Sequence, residues 1–316
     1  MISVIMSVYQ EPVSYVEKSV DSILNQTVQD IEFIIIVDDP NNKKVIQYLQ
    51  MCIEKDKRIK FYINEKNCGL TESLNRAIRY SKGEYVARMD ADDISELDRL
   101  EIELKSLVEN NLDIVGCNIQ NIDEKGNIIS KKGSQYPSSD RAIKEYLRTN
   151  SALAHPTWLV KRSVYEEYMK IGPYLEFPAC EDYEFLTRIA LDGKKLGNIK
   201  EVKLKYRINR EGISSTKKVK QKLSHFFVNR CYKQGQKSNL EEFLEFVNES
   251  GGIRKKRSLT EYYRKSAMIK ELFKTRKIFQ GVMLGVQTFC VSEEGRNIVL
   301  NTIKEKYLKI KYGKAY

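Results

Sequence analysis

Tyr85-Val86-Ala87-Arg88-Met89 runs without a break into Asp90-Ala91-Asp92-Asp93, and the fold turns on how that junction is read. The first five residues read as a strand, and the carboxylates crowd at its carboxyl end. Two earlier segments repeat the pattern. Phe33-Ile34-Ile35-Ile36-Val37 is continuously apolar, as in a strand covered on both faces of a parallel sheet, and it ends in Asp38-Asp39. Ile2–Val8 is apolar and β-branched, with Glu11 just beyond it. Helical spacing fills the gaps: Val16, Val20, Ile23 and Leu24; then Val45–Ile53; then Leu70–Tyr80, with Leu74, Ala77 and Ile78 on one face. A short strand is expected at Ile59–Ile63. Such repeated βα units predict an α/β fold with a doubly wound, mostly parallel sheet and right-handed crossovers.

After Leu107 the pattern changes. Ile114–Cys117 and Ile128-Ile129 read as strands around a Lys125-Gly126-Asn127 turn, Asp140–Leu147 as a helix, and Val202–Ile208 as a closing strand. Glu181-Asp182 opens a helical stretch ending near Asp192-Gly193. From Lys217 onward the chain is helical and basic, with its expected joint at Gly251-Gly252. The expected division is therefore a catalytic domain over 1–216, in halves 1–110 and 111–216, and an added helical C-terminal region over 217–316.

The composition excludes several classes. Hydrophobic residues are 41% and charged residues 31% of 316, with 16 Gly and six Pro, so neither a collagen-like nor a disordered chain fits. The net charge of +11 is unevenly placed: residues 217–316 carry 23 Lys/Arg against nine Asp/Glu, and the remainder is net acidic. Six scattered cysteines and two histidines suggest neither a disulfide framework nor a zinc site. Ile2–Val8 lacks the basic lead of a secretory signal, and the longest uncharged stretch near the C-terminus, 278–292, falls short of the about 20 apolar residues a span needs. The expected location is cytoplasmic.

In doubly wound sheets, ligands bind beyond the carboxyl ends of the strands. Here those ends carry Glu11, Asp38-Asp39 and Asp90–Asp93, and neither GxGxxG nor GxxxxGK[ST] occurs to cradle phosphates. Carboxylates hold phosphates only through a cation, and hard oxygen ligands suit Mg or Mn. In Asp90-Ala91-Asp92, one carboxylate is placed for a ribose hydroxyl and the other for a metal; the blander reading is an acidic turn with Asp93 capping the next helix. Glu181-Asp182 reads equally as dipole-stabilised charge at a helix start and as a general base with its neighbour.

Taken in order, these segments resemble glycosyltransferase family 2, the inverting nucleotide-sugar enzymes of GT-A fold. Ser3–Glu11 resembles the opening strand and turn, Ser22-Ile23-Leu24-Asn25-Gln26-Thr27 the S-I-L-x-Q-T helix end, and Ile34–Asp39 the strand ending in paired Asp. Asn67-Cys68-Gly69-Leu70 with Ser73-Leu74-Asn75, and Gly83-Glu84-Tyr85-Val86 with Asp90–Asp93, complete a resemblance that reaches Tyr206-Arg207. It implies that Ser7, Val8, Tyr9 and Glu11 line the nucleotide pocket and that Asp39 accepts from a uracil-type ring. It also implies that Asn67 and Gly69 border the ribose, Asp90 contacts it, Asp92 holds the divalent cation, and Asp182 is the base supported by Glu181. Arg88 is expected either to reach the donor or to pair with an Asp. His155 and Trp158 fall in the acceptor region by position, where a sugar-stacking role for the indole competes with the commoner reading of a lone Trp as core.

The implied activity is a hexosyl- or N-acetylhexosaminyl-transfer from a nucleoside-diphosphate sugar, expected to be UDP-linked, to a saccharide or lipid-linked saccharide in bacterial surface polysaccharide synthesis. Departures from the pattern are Asp38-Asp39-Pro40-Asn41 for D-D-G-S, Gln10 for the usual Asn, and Asn209 where relatives carry a metal-reaching His. In the tail, Phe279, Val282, Met283, Val286, Phe289 and Cys290 make an apolar face flanked by Lys274, Arg276, Lys277, Arg296, Lys304 and Lys306. That face suits packing on the catalytic domain, a homo-oligomer, or peripheral contact with the inner face of the cell membrane. Two other classes fit less well. Nucleic-acid binding lacks a reading motif, and a metal-dependent nucleotidyltransferase would need a basic first loop, which Tyr9-Gln10-Glu11-Pro12 is not.

Overall fold

A computed structural model describes residues 1–129, 133–208, 218–275, 278–291 and 293–313. Asn209, Arg276 and Lys277 lie outside them, as does the expected domain joint at 216–217.

Eight strands form one sheet: β1 (Ile2–Val8), β2 (Ile31–Val37), β3 (Ile59–Ile63), β4 (Tyr85–Asp90), β5 (Ile94–Ser95), β6 (Ile114–Ile122), β7 (Leu159–Lys161) and β8 (Leu196–Arg207), in the order β3-β2-β1-β4-β7-β6-β8-β5. The pairs β1–β2, β1–β4, β2–β3 and β6–β8 are parallel, whereas β7 runs antiparallel to both β4 and β6, and β5 antiparallel to β8. The architecture is thus the expected α/β one. Ile128 makes only an isolated bridge to Ile122, so the second strand expected there is not a strand of the sheet.

Twelve α-helices are described. Seven precede residue 200: α1 (Val13–Leu24), α2 (Lys43–Lys55), α3 (Leu70–Tyr80), α4 (Arg99–Glu109), α5 (Asp140–Leu147), α6 (Arg162–Glu167) and α7 (Glu181–Leu191). Five follow: α8 (Lys218–Lys233), α9 (Leu240–Asn248), α10 (Ser250–Lys274), α11 (Ile278–Val291) and α12 (Glu293–Lys311). The Gly251-Gly252 pair sits in the first turn of α10, and the break falls at Glu249.

Strand alternation divides the apolar residues between two cores. Val4, Met6, Val8, Phe33, Ile35 and Val37 pack under α1, α2 and α4; Ile5, Ile34 and Ile36 pack under α3, α5 and α7. Both faces are covered, which is why β1 and β2 are mostly apolar on alternate and adjacent positions alike, broken only by Ser3, Ser7 and Glu32. The second core continues into the C-terminal helices through Leu223, Phe227, Phe243 and Phe246. Gly83 permits the close approach of β4's entry to β1: a Cβ there would lie 2.6 Å from the Ser3 backbone nitrogen.

One core group is costly. Glu103 on α4 is fully buried beside Arg99 and Cys117, and burial pushes its carboxyl up to about 8. The unfolded chain ionises near the ordinary glutamate value, so the native state retains a proton that the unfolded state has lost. Stability is therefore undiminished below that value and falls as pH rises toward 8, by about 3 kcal/mol at pH 7. Glu103→Met is expected to raise the melting temperature more at pH 8 than at pH 5. An equal gain at both would mean that Glu103 is ionised against Arg99 in the folded protein.

Candidate active site

The strand order reverses beside β1: β2 and β3 lie to one side and β4 to the other. This switch opens a crevice at the carboxyl ends of β1 and β4, where Ser7 pairs in register with Asp90. Tyr9 is exposed, Ser7 half-buried and Val8 buried, so the chain leaving β1 offers the crevice mainly backbone and the Tyr9 ring. Glu11 is half-buried, and its Oε2 accepts from the Tyr9 amide at 2.7 Å. Burial raises its carboxyl, and Asp90 and Asp38 add to the rise.

The paired aspartates after β2 divide their work. Asp38 is buried and turned inward: Oδ1 accepts from Asn64 Nδ2 at 2.7 Å and Cys68 N at 2.8 Å, and Oδ2 from Gly69 N at 2.9 Å. It thereby shapes the loop carrying Asn67, whose side chain is exposed and whose Oδ1 accepts from Gly69 N at 3.0 Å. Gly69 holds φ +86° with open space around it, a backbone region that strains any residue with a Cβ. Asp39 remains at the rim, its Oδ2 accepting from Gln10 Nε2 at 3.2 Å. The Gln in place of the usual Asn thus reaches across to the second strand.

Beyond β4, Asp90, Asp92 and Asp93 each bring a carboxylate oxygen within 4.8 Å of the others. Asp90 and Asp92 are half-buried and Asp93 fully so. Burial, followed by repulsion from Asp90 and Glu11, holds the Asp92 carboxyl well above the usual range. Asp93 is raised by burial and then by the charges of Asp90 and Asp92, with Oδ1 tied to the Arg207 amide at 2.8 Å and Oδ2 buried without a partner. An all-oxygen donor set whose members repel one another, with one buried oxygen left over, fits a hard divalent cation.

Glu181 and Asp182 open α7 across the crevice. Glu181 is buried and Asp182 half-buried, with Asp182 Oδ1 accepting from the Tyr183 amide at 2.7 Å. Burial raises both carboxyls; Asp90 adds to each, and Arg88 opposes. The residue before Cys180, Ala179, is a non-glycine at φ +53°, so backbone strain is stored where α7 begins.

The structure decides two open readings, against a donor contact for Arg88 and against an acceptor platform at Trp158. Arg88 does not open onto the crevice. Its side chain is 2% exposed, and its guanidinium ion-pairs with Asp90 and donates to the Met89 carbonyl at 2.8 Å. Its field also reaches Glu181, so it acts on the donor side only through carboxylates. Trp158 is fully buried among His155, Tyr174 and Phe185, so its ring cannot stack on a saccharide. Packing decides this, because the 155–157 turn folds under β4 and carries the indole into the second core. His155 lies in the same cluster, 3.2 Å from the Tyr174 hydroxyl, and burial keeps its imidazole neutral.

Arg207 is the residue whose importance the motif alone did not reveal. Its Nε donates to the Asp92 carbonyl at 2.8 Å and one terminal nitrogen to the carbonyls of Asp123 and Glu124, while the Tyr15 ring lies 4.2 Å from the guanidinium carbon. One buried cation therefore fixes the Asp92-Asp93 turn from behind. The signal was present, since an Arg ends the strand beside this turn, but only topology shows that β8 passes there.

A crevice at a reversed sheet order, rimmed by carboxylates on both sides, agrees with the GT-A type of glycosyltransferase. More narrowly, the chain belongs to Glycosyl transferase family 2, whose family model matches residues 3–169. It is 36% identical over 240 residues to an uncharacterized glycosyltransferase of Methanocaldococcus jannaschii, covering 75% of this chain and 81% of that one. It is likewise 36% identical over 211 residues to the O-antigen biosynthesis glycosyltransferase WbnJ of Escherichia coli, covering 66% and 80%. Two solved structures share the fold. S. aureus TarS in complex with UDP-GlcNAc has a TM-score of 0.58 at 17% identity, over 84% of this chain and 92% of that one. The mannosyltransferase PcManGT of Pyrobaculum calidifontis, in complex with GDP-Man and Mn2+, has 0.57 at 16%, over 99% and 82%.

The buried Arg88 guanidinium makes a sharp forecast. Arg88→Met should lower unfolding stability by about 3–5 kcal/mol, because it leaves Asp90 and Glu181 without their shared counter-charge. Arg88→Lys should recover part of the loss. Unchanged urea midpoints for both would show that Arg88 is not the counter-charge.

Proposed function

We propose that this enzyme is a divalent-cation-dependent, inverting glycosyltransferase that moves a sugar from a nucleoside diphosphate, UDP in the first instance, to a saccharide hydroxyl. The observation that carries the reading is the meeting of two acidic groups across one crevice: Asp90 and Asp92 after β4, and Asp182 at the start of α7. The likeness to an O-antigen enzyme supports a surface-polysaccharide acceptor, carried on lipid or free. The nucleotide sugars bound to the two structural neighbours, UDP-GlcNAc and GDP-Man, support the donor class.

In this reading the β1 exit, from Ser7 to Glu11, and the Asn67–Gly69 loop enclose the nucleoside. Asp39, steadied by Gln10, accepts from the base. Asp90 takes a ribose hydroxyl. Asp92, with Asp90, would hold Mg or Mn, which offsets the charge gathering on the departing diphosphate. Asp182 accepts the acceptor's hydroxyl proton as that oxygen bonds to the anomeric carbon. The bond from that carbon to the phosphate oxygen breaks on the opposite face, and its electron pair leaves with the diphosphate, so configuration inverts. Burial, with the charge of Asp90, keeps the base's proton affinity raised, and Glu181 lies buried beside it. The division into a catalytic domain ending near 216 and a helical region after it belongs to the same proposal.

Asp92→Asn should abolish Mn-dependent binding of a UDP-sugar by calorimetry; wild-type affinity in the variant, or in EDTA, counts against the cation site. Asp182→Asn should bind donor nearly as wild type does and lose transfer by a factor of about 100 or more. Because the base must be ionised and its carboxyl is raised, wild-type kcat/KM should fall, as pH is lowered, at a higher pH than an ordinary aspartate would impose. Retained transfer in Asp182→Asn reassigns the base.

A further inference from the structure

Between Ile278 and Val291, α11 carries no charged side chain. Gly281 and Thr288 are buried where it packs on its neighbours, while Phe279, Val282, Met283, Val286 and Phe289 all face outward. Phe279 is 78% exposed, and the least exposed of the five, Phe289, still shows 42% of its surface. The next helix, α12, packs against α11 and adds Ile303 and Ile310 to the exposed apolar residues, with exposed Lys306 between them. Solvated helices put polar residues outside, and a contiguous run of large apolar side chains at helical spacing marks a surface made to be covered.

Charge decides what covers it. The region from Lys217 onward holds 23 Lys/Arg and nine Asp/Glu, a net +14. Two copies meeting through this face would bring two such charges together, whereas a negatively charged bilayer gains from each cation near its surface. An uncharged apolar face on a strongly basic region is the combination that lies in a lipid interface, its side chains among the acyl chains and its surrounding cations at the headgroups. No described helix is long and apolar enough to cross a membrane, so contact of this kind lies along the surface.

We propose that the outward face of α11, centred on Phe279, Met283, Val286 and Phe289, docks the protein onto an anionic lipid bilayer. The face lies outside the crevice residues, so this stands or falls separately from the donor and acceptor assignments.

The test is flotation of the full chain with phosphatidylglycerol vesicles and with phosphatidylcholine vesicles, at low and high salt. The wild-type protein should float with phosphatidylglycerol, less so as salt rises, and remain below with phosphatidylcholine. Phe279→Ser combined with Phe289→Ser should lower vesicle partitioning roughly tenfold or more, from the apolar area withdrawn. Circular dichroism and UDP-sugar binding should be unchanged in that variant. Met283→Glu is the second probe should the double variant misfold, and it should weaken partitioning in the same direction. Absence of wild-type flotation, or equal flotation of the folded variants, overturns the proposal. So does a wild-type dimer in sedimentation that these substitutions dissociate, which would put a second copy on the face.

Discussion

Like charges crowded at the edge of a sheet are the constraint around which the crevice is arranged. Burial raises the carboxyls of Glu11, Asp92, Asp93, Glu181 and Asp182, and the charge of Asp90 adds to the rise in each. Such a cluster holds together only with counter-charge, and the chain supplies two buried guanidinium groups for it. Arg88 lies beneath, between the end of β4 and the start of α7; Arg207 lies behind, bonded to the turn itself. Neither is exposed enough to serve as a ligand contact. Together they leave the cluster under-neutralised on its open side, where a cation and a phosphate group would complete the balance.

The short motifs around that edge are mostly fasteners. Asp38 binds the Asn64–Gly69 loop to the end of β2. Gln26 donates to the carbonyls of Ser22 and Glu96 and accepts from the Leu100 amide, joining α1 to the chain that follows the Asp turn. Asn75 clasps Tyr174 through both carbonyl and amide, at 2.8 and 2.9 Å, and so pins the segment leading into α7 to helix α3. Residue types with two hydrogen-bonding ends serve here because each closes a loop whose backbone groups would otherwise be buried unpaired.

This explains what could and could not be read in advance. The bounds of β3, α3 and α5 were legible to the residue, since period and breaker signals are local. The carboxylates at the strand ends were legible because the βα rhythm determines which end of each strand they occupy. The short β7 was not, because three residues carry no periodicity; only its antiparallel insertion between β4 and β6 brings the 155–157 turn under the site. Hence Trp158 could be read as a platform when it is core. Arg88 was ambiguous for a related reason. Strand alternation says which face a side chain takes, but not that α7 will bring two more carboxylates over it.

The basic helices after 218 are also tied to the chemistry through packing. His225 on α8 stacks on Tyr183, with ring centres 4.4 Å apart and planes 11° from parallel, one residue after Asp182. Asn229 donates to the Tyr183 hydroxyl at 2.6 Å, Ser224 to the Pro178 carbonyl at 3.1 Å, and Ser238 to Glu184 at 3.1 Å. Glu184 is in turn paired with buried Arg188. The first turn of α7, which presents Asp182, is therefore held on its far side by a helix outside the matched family region. Cutting the chain before α8 would strip apolar cover from the second core and release that turn together. Any loss of transfer after such a cut would report on the seat of α7 before it reported on the proposed docking of α11, which is why that face has to be probed by side-chain substitutions in the whole protein.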